Sequence, residues 1–389
     1  QAIDIKPDYA EAYYNLGGTL EELGQLDEAV KSLGKALDIK PDYAEAHNNL
    51  GITFQGLGQL DDAVKSLERA LDIKPDYAGA FNNLGSVLKE LGQLDDAVKS
   101  LEKALDIKPD YAEAHNNLGN AFKDLGQLDT AVKSYEQAIE IKPDFAEAHN
   151  NLGIALNELG QLDAAVKSYN QALAIKPDFA EVFNNLGNAF KDLGQLDAAV
   201  ECCEQALAIK PDFAEAYNTL GNSFNKLGQK DAAVKNYEKA IDIKPDYAEV
   251  HNNLGNAFKD LGQLDDAVKS LEKALDIKPD YAEAHYNLGG TLEGLGQLDK
   301  ALVSYDRAIA LDPDINFIFG VLLHTKMHLC IWDDLVNRLG ELTNKINNGE
   351  KVIVPFALLA LIDDPEIQRK NAEIYANENH PKSHILSKI

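Results

Sequence analysis

Prolines stand at 7, 41, 75, 109, 143, 177, 211, 245, 279 and 313, a spacing of 34 residues without a slip. Such strict self-similarity overrides the usual inference from length, by which 389 residues would suggest two or three globular domains. A unit this short cannot bury its apolar face alone, so each must stack on its neighbours and stability must be local. With Ala10 as position 1, nine complete units run from 10–43 to 282–315. A partial unit at 1–9 precedes them, and residues 316–389 follow as a segment that does not repeat.

Each unit reads as two helices. Pro ends one helix at "KPD", and the Asp is expected to cap the next, with Glu three residues on (Asp8 and Glu11) completing a capping-box-like pair that Gly79 breaks in one unit. At about 100° per residue, positions 3, 4, 7, 8, 10, 11 and 14 share one arc. In the first unit these are Ala12, Tyr13, Leu16, Gly17, Thr19, Leu20 and Leu23. Gly24 then suits a helix end at positive φ, and Asp27 is expected to cap a second helix whose stripe is Ala29, Val30, Leu33, Ala36 and Leu37. The fold class is all-α, a chain of helical hairpins.

Tyr13, Leu16-Gly17, Leu20, Ala29, Leu33, Ala36 and Pro41 fall where the tetratricopeptide repeat has its signature, and all nine units keep the frame. The sequence therefore resembles that family. The resemblance implies a right-handed superhelical solenoid whose first helices line a concave groove.

Positions 2, 5, 6, 9, 12 and 13 occupy the opposite, polar arc, which faces that groove. Position 6 is Asn15, Asn49, Asn83, Asn117, Asn151, Asn185, Asn253 and Asn287, with Thr219 the exception. Asn costs a helix roughly half a kcal/mol against Ala, so its recurrence calls for a compensating use. A side-chain amide both donates and accepts, and can pair with the backbone of any extended chain. Copying by duplication, leaving a merely solvated face, is the competing explanation. If the amides are free, their replacement by Ala leaves the fold intact. Asparagines at this position form a peptide-holding ladder in the repeat domain of O-linked N-acetylglucosamine transferases, which is what a resemblance to those enzymes would imply here.

Glu113, Glu147 and Glu181 at position 2, and Lys123 and Lys191 at position 12, are expected to colour the grip. Repeats that clamp chaperone C-terminal tails need basic residues at positions 2, 5 and 6. None occurs here, so that ligand is disfavoured.

Of the formal charge of -27, residues 316–389 carry only -1, so the array is strongly acidic. It repels phosphate backbones and anionic lipid, which excludes nucleic acid and membrane surfaces as natural partners and favours basic or neutral polypeptide. Cys202, Cys203 and Cys330 make no disulfide framework, consistent with a reducing, cytoplasmic setting. Cys203 lies on the apolar stripe and is expected to be buried, and Cys202 exposed. "VIVPFALLALI" is too short to span a bilayer. Beginning at Gln1 inside a repeat, the chain reads as a fragment whose apolar end favours self-association.

Helices are expected over Phe317–Cys330 and Asp333–Asn347, with further starts at Pro355 and Asp364-Pro365. The stretches "LLHTKMHLCIWDDL", "PFALLALIDDPEIQRK" and "AEIYANENHP" look like the segment joining repeats to the catalytic region in bacterial relatives of O-linked N-acetylglucosamine transferase, the family-41 glycosyltransferases that include Spindly proteins. That resemblance implies a substrate-recruiting arm. The catalytic half would follow this segment, no Gly-rich phosphate loop occurs, and no catalytic residue or cofactor is assigned. His324 and His328 are four apart with Cys330 close by, a spacing that can hold zinc, but no further ligand is evident and packing is the better reading. His47, His115, His149, His251 and His285 take position 4, where other units have Tyr or Phe, and read as packing substitutes. The expected function is a non-catalytic module that holds extended or unstructured protein segments, with a free-standing assembly scaffold as the alternative. The full reading frame would distinguish them.

Overall fold

The computed structural model describes residues 8–379. All elements among the described residues are helices or turns, without a strand. From Ala10 to Leu311 the helices alternate between 13 and 14 residues, as in Ala44–Gly56 and Leu60–Ile73, then Ala78–Glu90 and Leu94–Ile107. The chain divides into two compact units, Gln1–Gln195 and Leu196–Ile389. The first holds the repeats from 10 to 179 and the helix Ala180–Asp192. The second holds the helix Leu196–Ile209, the repeats from 214 to 315 and the C-terminal segment. The expected partial repeat at 1–9 lies, but for its last two residues, outside the described residues.

The turn inside each hairpin is built by glycine. Gly58 has φ +71, which favours a residue without Cβ. Around it Gln59 N donates to Phe54 O at 2.9 Å and Gly58 N to Gln55 O at 2.9 Å, closing the end of the first helix. A second glycine sets how closely the two helices approach. A Cβ on Gly119 would lie 2.5 Å from Tyr135 Cε1, and one on Gly85 would lie 2.5 Å from Leu101 Cγ. The partner side chain fills the space that the missing methyl leaves, and Leu33, Leu67, Leu101, Tyr135 and Tyr237 are completely buried.

The expected caps are not formed. Each first helix is preceded by an aromatic, Tyr43 or its equivalents, with no side-chain cap; Gln59 plays that part for the second. Asp61 and Asp62 instead sit in the first turn, where their charge faces the free N–H groups. Glu45 turns away to Lys74, 3.3 Å distant, and Lys74 lies over the Tyr77 ring at 4.7 Å. The aromatic is thus kept for packing, and a salt bridge replaces the capping box.

Stacking joins each second helix to the next hairpin. Ala63, Leu67 and Ala70 pack with Ala80, Leu84, Val87 and Leu88. Within each unit the first helices of neighbouring repeats also touch, while the second helices do not come as close, so the stack bends toward the first-helix side.

The C-terminal segment forms helices Ile318–His328, Leu335–Asn347, Pro355–Leu359 and Pro365–Asn379 around Phe319, Leu323, Leu342, Ile346, Ile353 and Leu358. The first two are shorter than the sequence suggests. Phe317 sits at φ +67 and gives its N–H to Lys351 O at 2.7 Å, and Asp334 at φ +60 precedes the second helix. Asp364 does cap as expected, accepting from Glu366 N at 2.9 Å and Ile367 N at 3.3 Å. Leu322 packs with Leu288 and Tyr305, so this segment continues the stack of the second unit.

Leu118 is buried against Leu101 and Ala121, with Val98, Leu105 and Phe122 around them. Leu118→Ala should cost roughly 2–5 kcal/mol. Hydrogen exchange should rise in the repeats 78–111 and 112–145 and little elsewhere. Uniform loss of protection along the chain would show one cooperative core instead.

Candidate functional site: the asparagine face

Side-chain amides join six pairs of neighbouring first helices as rungs. The position 6 Nδ2 donates to the position 5 Oδ1 of the preceding repeat, from Asn83 to Asn48 at 2.9 Å, Asn117 to Asn82 at 2.9 Å, Asn151 to Asn116 at 3.0 Å and Asn185 to Asn150 at 3.0 Å. In the second unit Asn253 bonds Asn218 at 3.1 Å and Asn287 bonds Asn252 at 2.9 Å. This corrects the expectation that both positions face an open groove. Asn48, Asn82, Asn116, Asn150, Asn218 and Asn252 are buried between repeats, while Asn49, Asn83, Asn117, Asn151, Asn185, Asn253 and Asn287 are half-buried and Asn15 is exposed. A buried amide must be paired. The position 6 residue supplies that pairing, which the pattern of paired asparagines could have signalled.

The pairing leaves position 6 with a spare capacity. A primary amide has two N–H groups and an acceptor oxygen. One N–H is used by the rung, and in Asn83 and Asn151 the oxygen takes a long bond of 3.4 Å from the adjacent asparagine. The rungs therefore fix the amides in register.

The charged residues are only partly as expected. Glu113 is engaged by Lys142 at 3.1 Å, and that ammonium lies over Phe145 at 4.6 Å. Burial pushes the Glu113 carboxyl up, but its own backbone amide and Lys142 outweigh this and hold it below its ordinary value. Glu147 and Glu181 are exposed. Lys123 reaches Asp124 at 3.6 Å, and Lys89 of the preceding repeat meets the same carboxylate at 3.5 Å. Lys191 donates to Asn188 Oδ1 at 2.9 Å and lies 3.7 Å from Asp192. The lysines are thus balanced by acids within the face.

The position 4 histidines do more than replace an aromatic. Nε2 of His47, His115, His251 and His285 lies 3.0 Å from the carbonyl oxygen of Pro41, Pro109, Pro245 and Pro279 respectively, and His149 lies 3.1 Å from that of Pro143. Nε2 therefore carries a hydrogen and ties each first helix to the turn before it. Cys203 is buried as expected, but Cys202 is half-buried, and burial with the nearby Glu201 pushes its thiol up to about 11.

The rings of His324 and His328 lie with centroids 4.2 Å apart, tilted at 53° to each other, and Glu293 lies 4.0 Å from His324 Nδ1. Glu293 also accepts from the Tyr305 hydroxyl at 2.9 Å. Among the described residues no three His, Cys, Asp or Glu side chains converge as metal ligands, and no helix is long and apolar enough to cross a membrane.

A stack of helical hairpins with a repeated polar face defines a helical-repeat solenoid. The family profile described as "TPR repeat" matches residues 85–126, 119–160, 153–194, 187–228, 221–262 and 255–296, and profiles described as "Tetratricopeptide repeat" match 8–76 and 282–315. The chain belongs to the tetratricopeptide-repeat family. Repeats of this family serve protein–protein interaction and scaffolding. Among solved structures, the APC/C hetero-tetramer Cut9–Hcn1 is similar at 16% identity over 81% of this chain and 76% of that one, with a TM-score of 0.56, which supports the fold alone. PilF of Pseudomonas aeruginosa is 22% identical over 53% of this chain and 94% of its own (TM-score 0.48), and MamA is 28% identical over 43% and 97% (TM-score 0.38). No curated protein matches the sequence.

Because the rungs satisfy buried oxygens, changing Asn117, Asn151 and Asn185 together to Ala should destabilise the first unit despite the better helix propensity of Ala. Each unpaired carbonyl costs about 1–3 kcal/mol. Denaturant melts would show it, and an unchanged or higher midpoint would mean that the rungs carry no net stability.

His324 is held below its ordinary value of 6.5 by burial first and by His328 second, with Glu293 opposing them. The unfolded chain therefore binds this proton more readily than the folded one. Its contribution to stability is fully present above pH 6.5 and is lost as the pH falls below that value. An NMR titration should give an imidazole midpoint below 6.5 that disappears in His324→Gln. A midpoint above it would reverse the sign.

Proposed function

We propose that the first-helix face holds extended or unstructured segments of other proteins by their backbone, the position 6 amides supplying one donor and one acceptor per repeat. The observation that carries this reading is the row of rungs, which fixes six of these amides and uses one of the two N–H groups of each, Asn253 alone also bonding Asn222 at 3.3 Å. Each backbone bond contributes only about 0.5–1.5 kcal/mol. Repetition then gives affinity without demanding ligand sequence, and the acidic array prefers basic or neutral chains.

The resemblance of "PFALLALIDDPEIQRK" and its flanks to the linker of family-41 glycosyltransferases favours a finer reading. In it the array is a substrate-recruiting arm that delivers segments to a transferase. A free-standing scaffold is the alternative, and the reading frame beyond Ile389 separates the two.

A photo-crosslinking residue at Ser86, on the first-helix face, should capture reduced and alkylated lysozyme, an unfolded basic polypeptide, whereas one at the exposed Glu102 of a second helix should not. Equal capture at the two places would sink the groove reading. Changing Glu147 and Glu181 to Lys should weaken basic ligands selectively, most strongly at low salt.

A further inference from the structure

Between the helices Ala146–Glu158 and Ala180–Asp192 the face opens into a cleft of about 260 Å³ lined by Asn157, Glu158, Tyr169, Asn185, Asn188 and Asp192. Two differences from the adjacent repeats meet there. Position 12 is Lys123 in the repeat before and Lys191 in the repeat after, but Asn157 here; it is also Lys89 and Lys259, and elsewhere Glu21, Gln55, Asn225 and Glu293. Lys89 reaches across to Asp124 of the next repeat, and Asn157 can offer Asp192, the equivalent carboxylate, no such charge. Position 9 is an acceptor in the preceding repeat, where Asn120 takes the Tyr135 hydroxyl at 2.8 Å. In this repeat it is Ile154, which also lines the cleft and cannot accept from Tyr169. The cleft therefore combines a tyrosine without the acceptor that Asn120 gives Tyr135 and two carboxylates on different helices, Glu158 and Asp192, of which Asp192 also has Lys191 at 3.7 Å.

A separate observation concerns Asn157 itself. Its Oδ1 is shielded from solvent and has no hydrogen-bond partner. An orphaned buried acceptor destabilises the free protein and rewards any ligand that brings a donor. An anionic ligand is excluded by Glu158 and Asp192. A metal ion is disfavoured because no three His, Cys, Asp or Glu groups converge among the described residues.

We propose that this cleft takes a cationic side chain, arginine in preference to lysine, of the polypeptide held on the first-helix face, in place of the lysine that this repeat lacks. The proposal rests on the groove reading above and adds a point of sequence selectivity to it. Guanidinium is planar with five N–H donors, enough to serve Asn157 Oδ1 and carboxylates on two helices at once, whereas an ammonium has three donors around one point. Charge-assisted bonds to groups partly withdrawn from water are the strong kind.

The test compares two otherwise identical flexible Gly/Ser-rich peptides, fluorescently labelled, with a central arginine or its neutral isostere citrulline, on the intact chain and on Asn157→Lys. Lysine at this position is used by four other repeats, so the variant should fold, and circular dichroism would verify this. The arginine peptide should bind the parent roughly tenfold tighter than the citrulline peptide. That ratio should fall toward one in Asn157→Lys, and a lysine peptide should lie between. If the parent binds both peptides equally, or if Asn157→Lys keeps the full ratio, the cleft does not select arginine and a water molecule serves Asn157, while the groove reading stands. If the parent binds neither peptide, the groove reading fails and this selectivity falls with it.

Discussion

The close approach of the two helices of each hairpin is the constraint on which the rest depends. It exists because position 8 has no Cβ: at Gly119 even one methyl would meet the Tyr135 ring at 2.5 Å. The side chain that fills this gap is among the most completely buried in the chain, so a hairpin becomes a thin, rigid slab. Slabs of equal thickness can stack at a constant step, and only then does a residue 34 positions later come into register with its counterpart.

Constant register turns a weak, local preference into a continuous feature. One asparagine pair on an isolated helix would be a net cost. In the stack the same pair links neighbours, as from Asn117 to Asn82 and from Asn151 to Asn116, and the position 4 histidines add a second tie to the preceding Pro carbonyl. These polar ties discriminate against slippage between repeats, because a shifted register would leave buried amides unpaired. They also set the spacing of whatever donors and acceptors remain for a ligand. Where an asparagine lacks such a tie the consequence is local: Asn184 Oδ1 is buried and unpaired.

The C-terminal segment obeys different rules. Its core of Phe319, Leu342, Ile346 and Ile353 is assembled from unlike elements; left-handed residues, Phe317 and Asp334, precede its first two helices, and Cys330 at φ +55 follows the first where a repeat has glycine, while Gly349 at φ +82 keeps the glycine turn after the second. Backbone bonds such as Gly320 N to Val352 O at 2.8 Å tie a helix start to the segment before the helix Pro355–Leu359, a pairing between distant residues that no periodicity announces.

Periodicity was enough to establish the all-α class, the hairpin, its glycine turn and the burial of Leu33 and Cys203, because those follow from a 3.6-residue repeat and from which residues tolerate positive φ. Local patterns misled at the helix starts: Asp8 and Glu11 have the spacing of a capping box, but Tyr9 precedes the helix without a side-chain cap and Glu11 accepts from its hydroxyl at 3.0 Å. Which face of the polar arc is open was decided only in three dimensions. Position 5 and position 6 are adjacent and chemically identical, so the sequence cannot distinguish a buried Asn116 from a half-buried Asn117. The neighbouring repeat makes that distinction, by placing its own amide 3.0 Å from Asn116.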